Sequence, residues 1–128
     1  MTALIVDDSR AMRMMLRQML TSAGFDVAEA RHGREALVYL QANADTRLAL
    51  VDWNMPEMNG LELVTAVRQD ARLNDIRLMM VTSETEAAHI ERAMLAGADE
   101  YVMKPFSREV IEDKLRLLGV DSGGGHAF

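Results

Sequence analysis

Five times along this chain a short apolar run gives way to a stretch with helical periodicity, and nothing breaks the alternation. Strict strand–helix alternation leaves few folds open. Consecutive strands must run parallel, each helix must cross back over the sheet, and both sheet faces become covered. Strands are expected at Ala3–Val6, Phe25–Ala30, Leu48–Val51, Leu78–Val81 and Tyr101–Met103. Helices are expected at Arg10–Ala23, Gly33–Asn43, Leu61–Asp70 and Thr85–Ala96, with a last one capped by Ser107 and running to about Leu118. Met12, Met15, Leu16 and Met19 recur at helical spacing and should face the core, as should Ala36, Leu37 and Leu40. Gly24 and Gly97 stand where helices end, a position that favours a residue tolerant of positive φ. Leu48–Val51 is apolar without a break, as in a strand covered on both faces. The expected fold class is α/β, a flavodoxin-like (βα)5 doubly wound parallel five-stranded sheet with helices on both faces. Order 2-1-3-4-5 is the expected strand order, although periodicity alone does not fix it.

With 128 residues, one domain is expected over 1–118, followed by a flexible tail at 119–128 that contains Gly123–Gly125. There is no cysteine, which excludes disulfides, thiolate metal sites and thiol chemistry. No apolar run approaches the ~20 residues needed to span a bilayer, and no signal pattern opens the chain, so a cytoplasmic location is expected. The net charge of −6 comes without a basic stripe. Nucleic acid and anionic membrane surfaces are therefore poor candidate partners. The chain is also expected to be a monomer.

In an open parallel sheet, ligands bind beyond the carboxyl ends of the strands, where the strand order reverses. Strand 1 ends in Asp7-Asp8, strand 3 in Asp52, strand 4 in Thr82-Ser83 and strand 5 in Lys104-Pro105. Each piece has an ordinary reading as a helix cap, turn or loop residue. Their coincidence at one sheet edge points to a site. Two unit charges about 4 Å apart cost about 4 kcal/mol at an effective dielectric of about 20. Three gathered carboxylates therefore need a cation or a proton. Hard oxygen donors with room for water suit Mg²⁺, with Mn²⁺ as a possible substitute. A divalent ion, Lys104 and the Thr82 hydroxyl around Asp52 make a site for a phosphoryl group, with Asp52 as nucleophile.

The segments Ile5–Arg10, Val51–Gly60, Val81–Ser83, Gly97–Tyr101 and Val102–Phe106, in this order and spacing, resemble the receiver domains of two-component response regulators, of the CheY-like stand-alone type. The resemblance runs from Leu4 to about Leu118. It implies a phosphoacceptor at Asp52 and metal ligands at Asp7, Asp8, Asp52 and the backbone carbonyl of Asn54. It also implies a phosphoryl contact from Lys104, a coupled switch of Thr82 and Tyr101, and a cis bond before Pro105. Asn54 and Glu84, each two residues past Asp52 or Thr82, are expected to tune dephosphorylation. Asn59 stands where many relatives have Asp.

The implied role is a single-domain response regulator that catalyses only its own phosphorylation and dephosphorylation, and so is a switch rather than an enzyme. A histidine kinase or histidine phosphotransfer protein would donate the phosphoryl group. A protein target, such as a flagellar motor switch component in chemotaxis, would read the face of helix 4, strand 5 and helix 5. Ile90, Tyr101 and Lys114 are candidates on that face. A phosphatase is a further possible partner. Met14, off the core stripe of the first helix, is a candidate for docking of the kinase or phosphotransfer helix. A phosphate sink, relay intermediate or cell-cycle regulator would need the same site. Two other classes fit less well. A haloacid-dehalogenase-like phosphatase expects an aspartate where Asn54 stands, and a flavin carrier would not tolerate Asp7-Asp8 in its phosphate loop. His32 and His89 show no ligand spacing and are expected in solvent, and His126 lies in the tail.

Overall fold

The computed structural model describes residues 1–83 and 88–120. Its elements are β1 (Thr2–Val6), α1 (Arg10–Ser22), β2 (Asp26–Ala30), α2 (Gly33–Ala42) and β3 (Leu48–Asp52), then α3 (Gly60–Gln69), β4 (Arg77–Thr82), α4 (Ile90–Ala96), β5 (Glu100–Met103) and α5 (Arg108–Leu118). A short 3₁₀ turn, Ala71–Leu73, precedes β4. The strands form one parallel sheet in the order β2-β1-β3-β4-β5, as expected for a doubly wound fold.

Strand alternation sorts the core into two layers. Leu4, Val6, Ala49, Val51, Leu78 and Met80 pack on Ala36 and Leu40 of α2, Leu63, Val64 and Val67 of α3, and Ala93 of α4. Ala3, Ile5, Leu48, Leu50, Met79 and Val81 pack on Leu16 and Leu20 of α1 and Ile111 and Leu115 of α5. Neighbouring residues of β3 thus serve opposite layers, which is why that strand is apolar throughout.

Local signals place the helix ends. Ser9, Asn59 and Ser107 accept hydrogen bonds from the backbone N–H groups of Met12, Glu62 and Val110, and Asn59 and Glu62 form a reciprocal capping box. Gly24 follows α1 with a φ of 97°, and Gly97 caps α4 with a φ of 123°.

The fourth helix is α-helical over Ile90–Ala96 among the described residues, and three other expectations need correction. Residues 85–87 lie outside the described residues. Met15 is 38% exposed, because Leu16 and Leu20 centre the buried stripe of α1 and leave Met15 at its edge. Neither His32 nor His89 is simply solvated. His32 caps α2, its Nδ1 accepting from the Glu35 N–H at 3.2 Å. His89 stacks on Trp53, with centroids 4.5 Å apart and planes 17° apart. The packed chain also runs past Leu118, since Val120 is buried against the α1/α5 layer. Residues 121–128, including His126, lie outside the described residues. Among the described residues, no helix is long and apolar enough to cross a membrane.

Candidate functional site

The site follows from the register. β1 and β3 lie side by side, with Val6 opposite Val51. The next residue of each strand is an aspartate, so Asp7 and Asp52 emerge together at the carboxyl edge of the sheet. Asp7 extends the β1–β2 ladder through its N–H to the Ala30 carbonyl (3.1 Å). Its Oδ1 then accepts from the Ser9 N–H at 2.8 Å, turning the chain so that Ser9 can cap α1. Asp8 is held at the exposed apex of this turn. Carboxylate oxygens of Asp7, Asp8 and Asp52 all lie within 4.8 Å of one another.

Lys104 reaches this cluster from β5. Its N–H donates to the Thr82 carbonyl at 2.7 Å, carrying the β4–β5 ladder one residue beyond Met103. The Lys104–Pro105 bond is cis. The Lys104 Nζ lies 3.4 Å from Asp52 Oδ1 and 3.8 Å from Asp7 Oδ2. Thr82 ends β4 and is buried, one register step past Val81, which pairs with Asp52. Asp7, Asp8, Asp52, Thr82 and Lys104 are thus gathered at one edge. Asn54 is exposed on the loop after β3, and Glu84 lies outside the described residues.

The electrostatics are unbalanced. Asp7 is 1% exposed, and its Oδ2 has no hydrogen-bond partner among the described residues. Burial pushes its carboxyl pKa up, against the pull of the Ser9 N–H and Lys104. Among the described residues only Lys104 pairs with the carboxylates, while the Arg13 guanidinium is engaged by the Asp7 carbonyl and Glu29, so three acids remain short of positive charge. A buried carboxylate oxygen without a donor, facing two more carboxylates, fits a hard divalent cation.

The residues expected on partner surfaces are placed as follows. Tyr101 pairs with Met80 in the sheet, and its side chain packs on the α2–α4 layer. Lys114 of α5 sits 4.9 Å over the Tyr101 ring and pairs with Glu100 at 3.1 Å. Ile90 is half-buried at the start of α4, and Met14 is exposed on α1.

The sequence reading missed three supports. Arg13 donates from Nη1 to the Asp7 carbonyl at 2.7 Å. Trp53, next to Asp52, is covered by His89. Gly60 brings α3 against the carboxyl end of β3. Its N–H donates to the Trp53 carbonyl at 3.0 Å, and a Cβ there would meet the Asp52 carbonyl at 2.8 Å and Trp53 Cα at 3.0 Å. Those neighbours are backbone and cannot move alone. Gly60→Ala should cost about 1–3 kcal/mol and shift Trp53 emission, as denaturant melts and fluorescence would reveal. An unchanged melting midpoint would contradict the close approach. Gly-after-Asn at a helix start was the only sequence signal for it.

The response regulator receiver domain model matches residues 3–116. The chain is 46% identical over 119 residues to chemotaxis protein CheY1 of Helicobacter pylori, covering 92% of this chain and 96% of that protein. It is 46% identical over 129 residues to the chemotaxis protein CheY homolog of Campylobacter jejuni, covering 99% of each. The solved structure of chemotaxis protein CheY4 of Vibrio cholerae superposes with a TM-score of 0.83 at 35% identity, over 91% of this chain and 97% of that one. Fold order, acid cluster and sequence agree over almost the whole length, and the chain belongs to the response regulator receiver domain family, among its CheY-like members.

Proposed function

We propose that Asp52 accepts a phosphoryl group in a Mg²⁺-dependent reaction, and that the phosphorylated chain engages a protein target. One observation carries this reading: Asp7, Asp8 and Asp52 converge within 4.8 Å, with the Lys104 ammonium 3.4 Å from Asp52. An Asp52 carboxylate oxygen attacks phosphorus, forming the acyl phosphate P–O bond. The bond from phosphorus to the donor breaks, and its electron pair leaves with the donor's imidazole nitrogen or, for acetyl phosphate, its carboxylate. Asp7, Asp8, Asp52 and the Asn54 carbonyl would hold Mg²⁺, which would neutralise the negative charge that otherwise opposes attack. Lys104 offers a second positive group to the phosphoryl oxygens, and the Thr82 hydroxyl a hydrogen bond. Asn54, two residues past Asp52, and Glu84, two residues past Thr82 in the sequence, tune hydrolysis of the acyl phosphate.

The donor in this reading is a sensor histidine kinase or a histidine phosphotransfer protein. The output is protein binding through α4, β5 and α5, with Ile90, Tyr101 and Lys114 in the switched face. Leu95 (81% exposed) and Leu117 (73%) supply apolar surface on the same elements. The similarity to chemotaxis proteins of Helicobacter and Campylobacter supports a role in chemotaxis, for which a flagellar motor switch component is the target in this reading.

Trp53 is the single tryptophan and neighbours Asp52, so its emission reports on the site. Mg²⁺ should change that emission, and acetyl phosphate should change it again. Chelating the metal should slow the acetyl phosphate response roughly a hundredfold, with Mn²⁺ restoring it. An identical response in excess chelator would sink the reading.

A further inference from the structure

Asp8 is the one exposed member of the acid cluster, and its own side chain does little to explain why it stays in place. The Asp7–Asp8 peptide is planar, so whatever fixes the Asp7 carbonyl also fixes the Asp8 nitrogen and Cα. Arg13 Nη1 donates to that carbonyl at 2.7 Å. The guanidinium is itself anchored, because Arg13 Nε donates to Glu29 Oε1 at 2.9 Å. Glu29 belongs to β2, opposite Ile5 of β1. Its other oxygen takes Arg17 Nε at 2.6 Å, and Arg17 Nη2 reaches the Val27 carbonyl at 3.3 Å. Only 12% of the Arg13 side chain is exposed, against 45% for Arg17. The two arginines share one carboxylate, but of the two only Arg13 is bonded to the acid loop in the structure.

We propose that Arg13 is a positioning residue for cation binding: its guanidinium, braced by Glu29, holds the Asp7–Asp8 peptide so that Asp8 faces Asp7 and Asp52. This rests on the reading of the cluster as a divalent-cation site. Arg13 contributes through orientation and against its own charge. A cation beside the acid loop repels Mg²⁺, so deleting that charge alone would tighten binding. Loss of the brace weakens it. The two effects have opposite signs.

The test is a Mg²⁺ titration of the unphosphorylated full chain, read by Trp53 emission, for the native protein and for Arg13→Gln, Arg13→Lys and Arg17→Gln. Thermal unfolding of each runs in parallel. Arg13→Gln should raise the Mg²⁺ Kd about tenfold, within the range for groups that orient metal ligands. Arg13→Lys should resemble Arg13→Gln, because a single ammonium keeps the charge but cannot fork between Glu29 and the Asp7 carbonyl. Arg17→Gln should leave the Kd within about twofold of native, although it too removes an ion pair to Glu29. Native-like or tighter Mg²⁺ binding by Arg13→Gln overturns the proposal, as does equal weakening by Arg17→Gln. A native protein whose emission ignores Mg²⁺ overturns the underlying reading as well.

Discussion

An Asp52→Asn protein will fold and take up no phosphoryl group, from acetyl phosphate or from a kinase. The amide oxygen is neutral, and the amide nitrogen's lone pair is delocalised into the carbonyl, so neither is a competent nucleophile. The other acids cannot substitute. Asp7 is bound to the Ser9 N–H and turned into the loop, and Asp8 lies at its exposed apex. The register places only Asp52 at the end of β3, with the Lys104 ammonium 3.4 Å away. Folding should survive, because Asn keeps the shape of the side chain and removes one of three mutually repelling charges. Label from radioactive donor should therefore fall to background, with no drop in the thermal midpoint measured without metal. Native-level labelling of Asp52→Asn would refute the assignment.

Asp7→Asn should separate stability from function. Asp7 is almost fully buried, with one oxygen lacking a hydrogen-bond donor, and burial raises its pKa. In the metal-free protein its ionised form therefore costs stability. The raised pKa fixes the sign of the pH effect. The cost is absent below the unfolded-state pKa, where Asp7 is protonated in both states, and develops as pH rises through the folded pKa. At neutral pH without metal, Asp7→Asn should gain about 1–2 kcal/mol over native. That gain should fade as pH falls through the raised pKa, because protonated Asp and Asn are near-equivalent. Mg²⁺ affinity should drop roughly a hundredfold or more. Excess Mg²⁺ should then reverse the order, since ion at about 100 times Kd adds about 2.7 kcal/mol to the native fold alone. Denaturant melts at two pH values, with and without Mg²⁺, check each part. An Asp7→Asn protein less stable than native in metal-free neutral buffer would contradict the account.

The residues that made the site legible are strand ends. Apolar runs stop abruptly at Asp7, Asp52, Thr82 and Lys104, and a parallel sheet carries all those stops to one edge. What stayed hidden depends on contacts between elements. Met15 shares the spacing of its neighbours, but a helix lying on a sheet buries only a narrow stripe, and Leu16 and Leu20 take it. The role of His32 is easy to overlook because histidine is an uncommon cap. Glu35 three residues on was the available clue, and its carboxylate does reach back to the Arg31 N–H at 2.6 Å. Arg13 and Arg17 stand four apart on one helical face, which suggests a shared acidic partner. That partner, Glu29, comes from β2, and only the packing of α1 over β2 brings it there.

The central claim is that phosphorus bonds to Asp52. Reducing the acetyl phosphate-treated protein with borohydride converts an aspartyl phosphate into homoserine, which peptide mass spectrometry locates by position. The account predicts homoserine at position 52 alone, formed with Mg²⁺ and lost when the metal is chelated. Homoserine at 7 or 8, or none at 52 in protein whose Trp53 emission has responded to the donor, would contradict it.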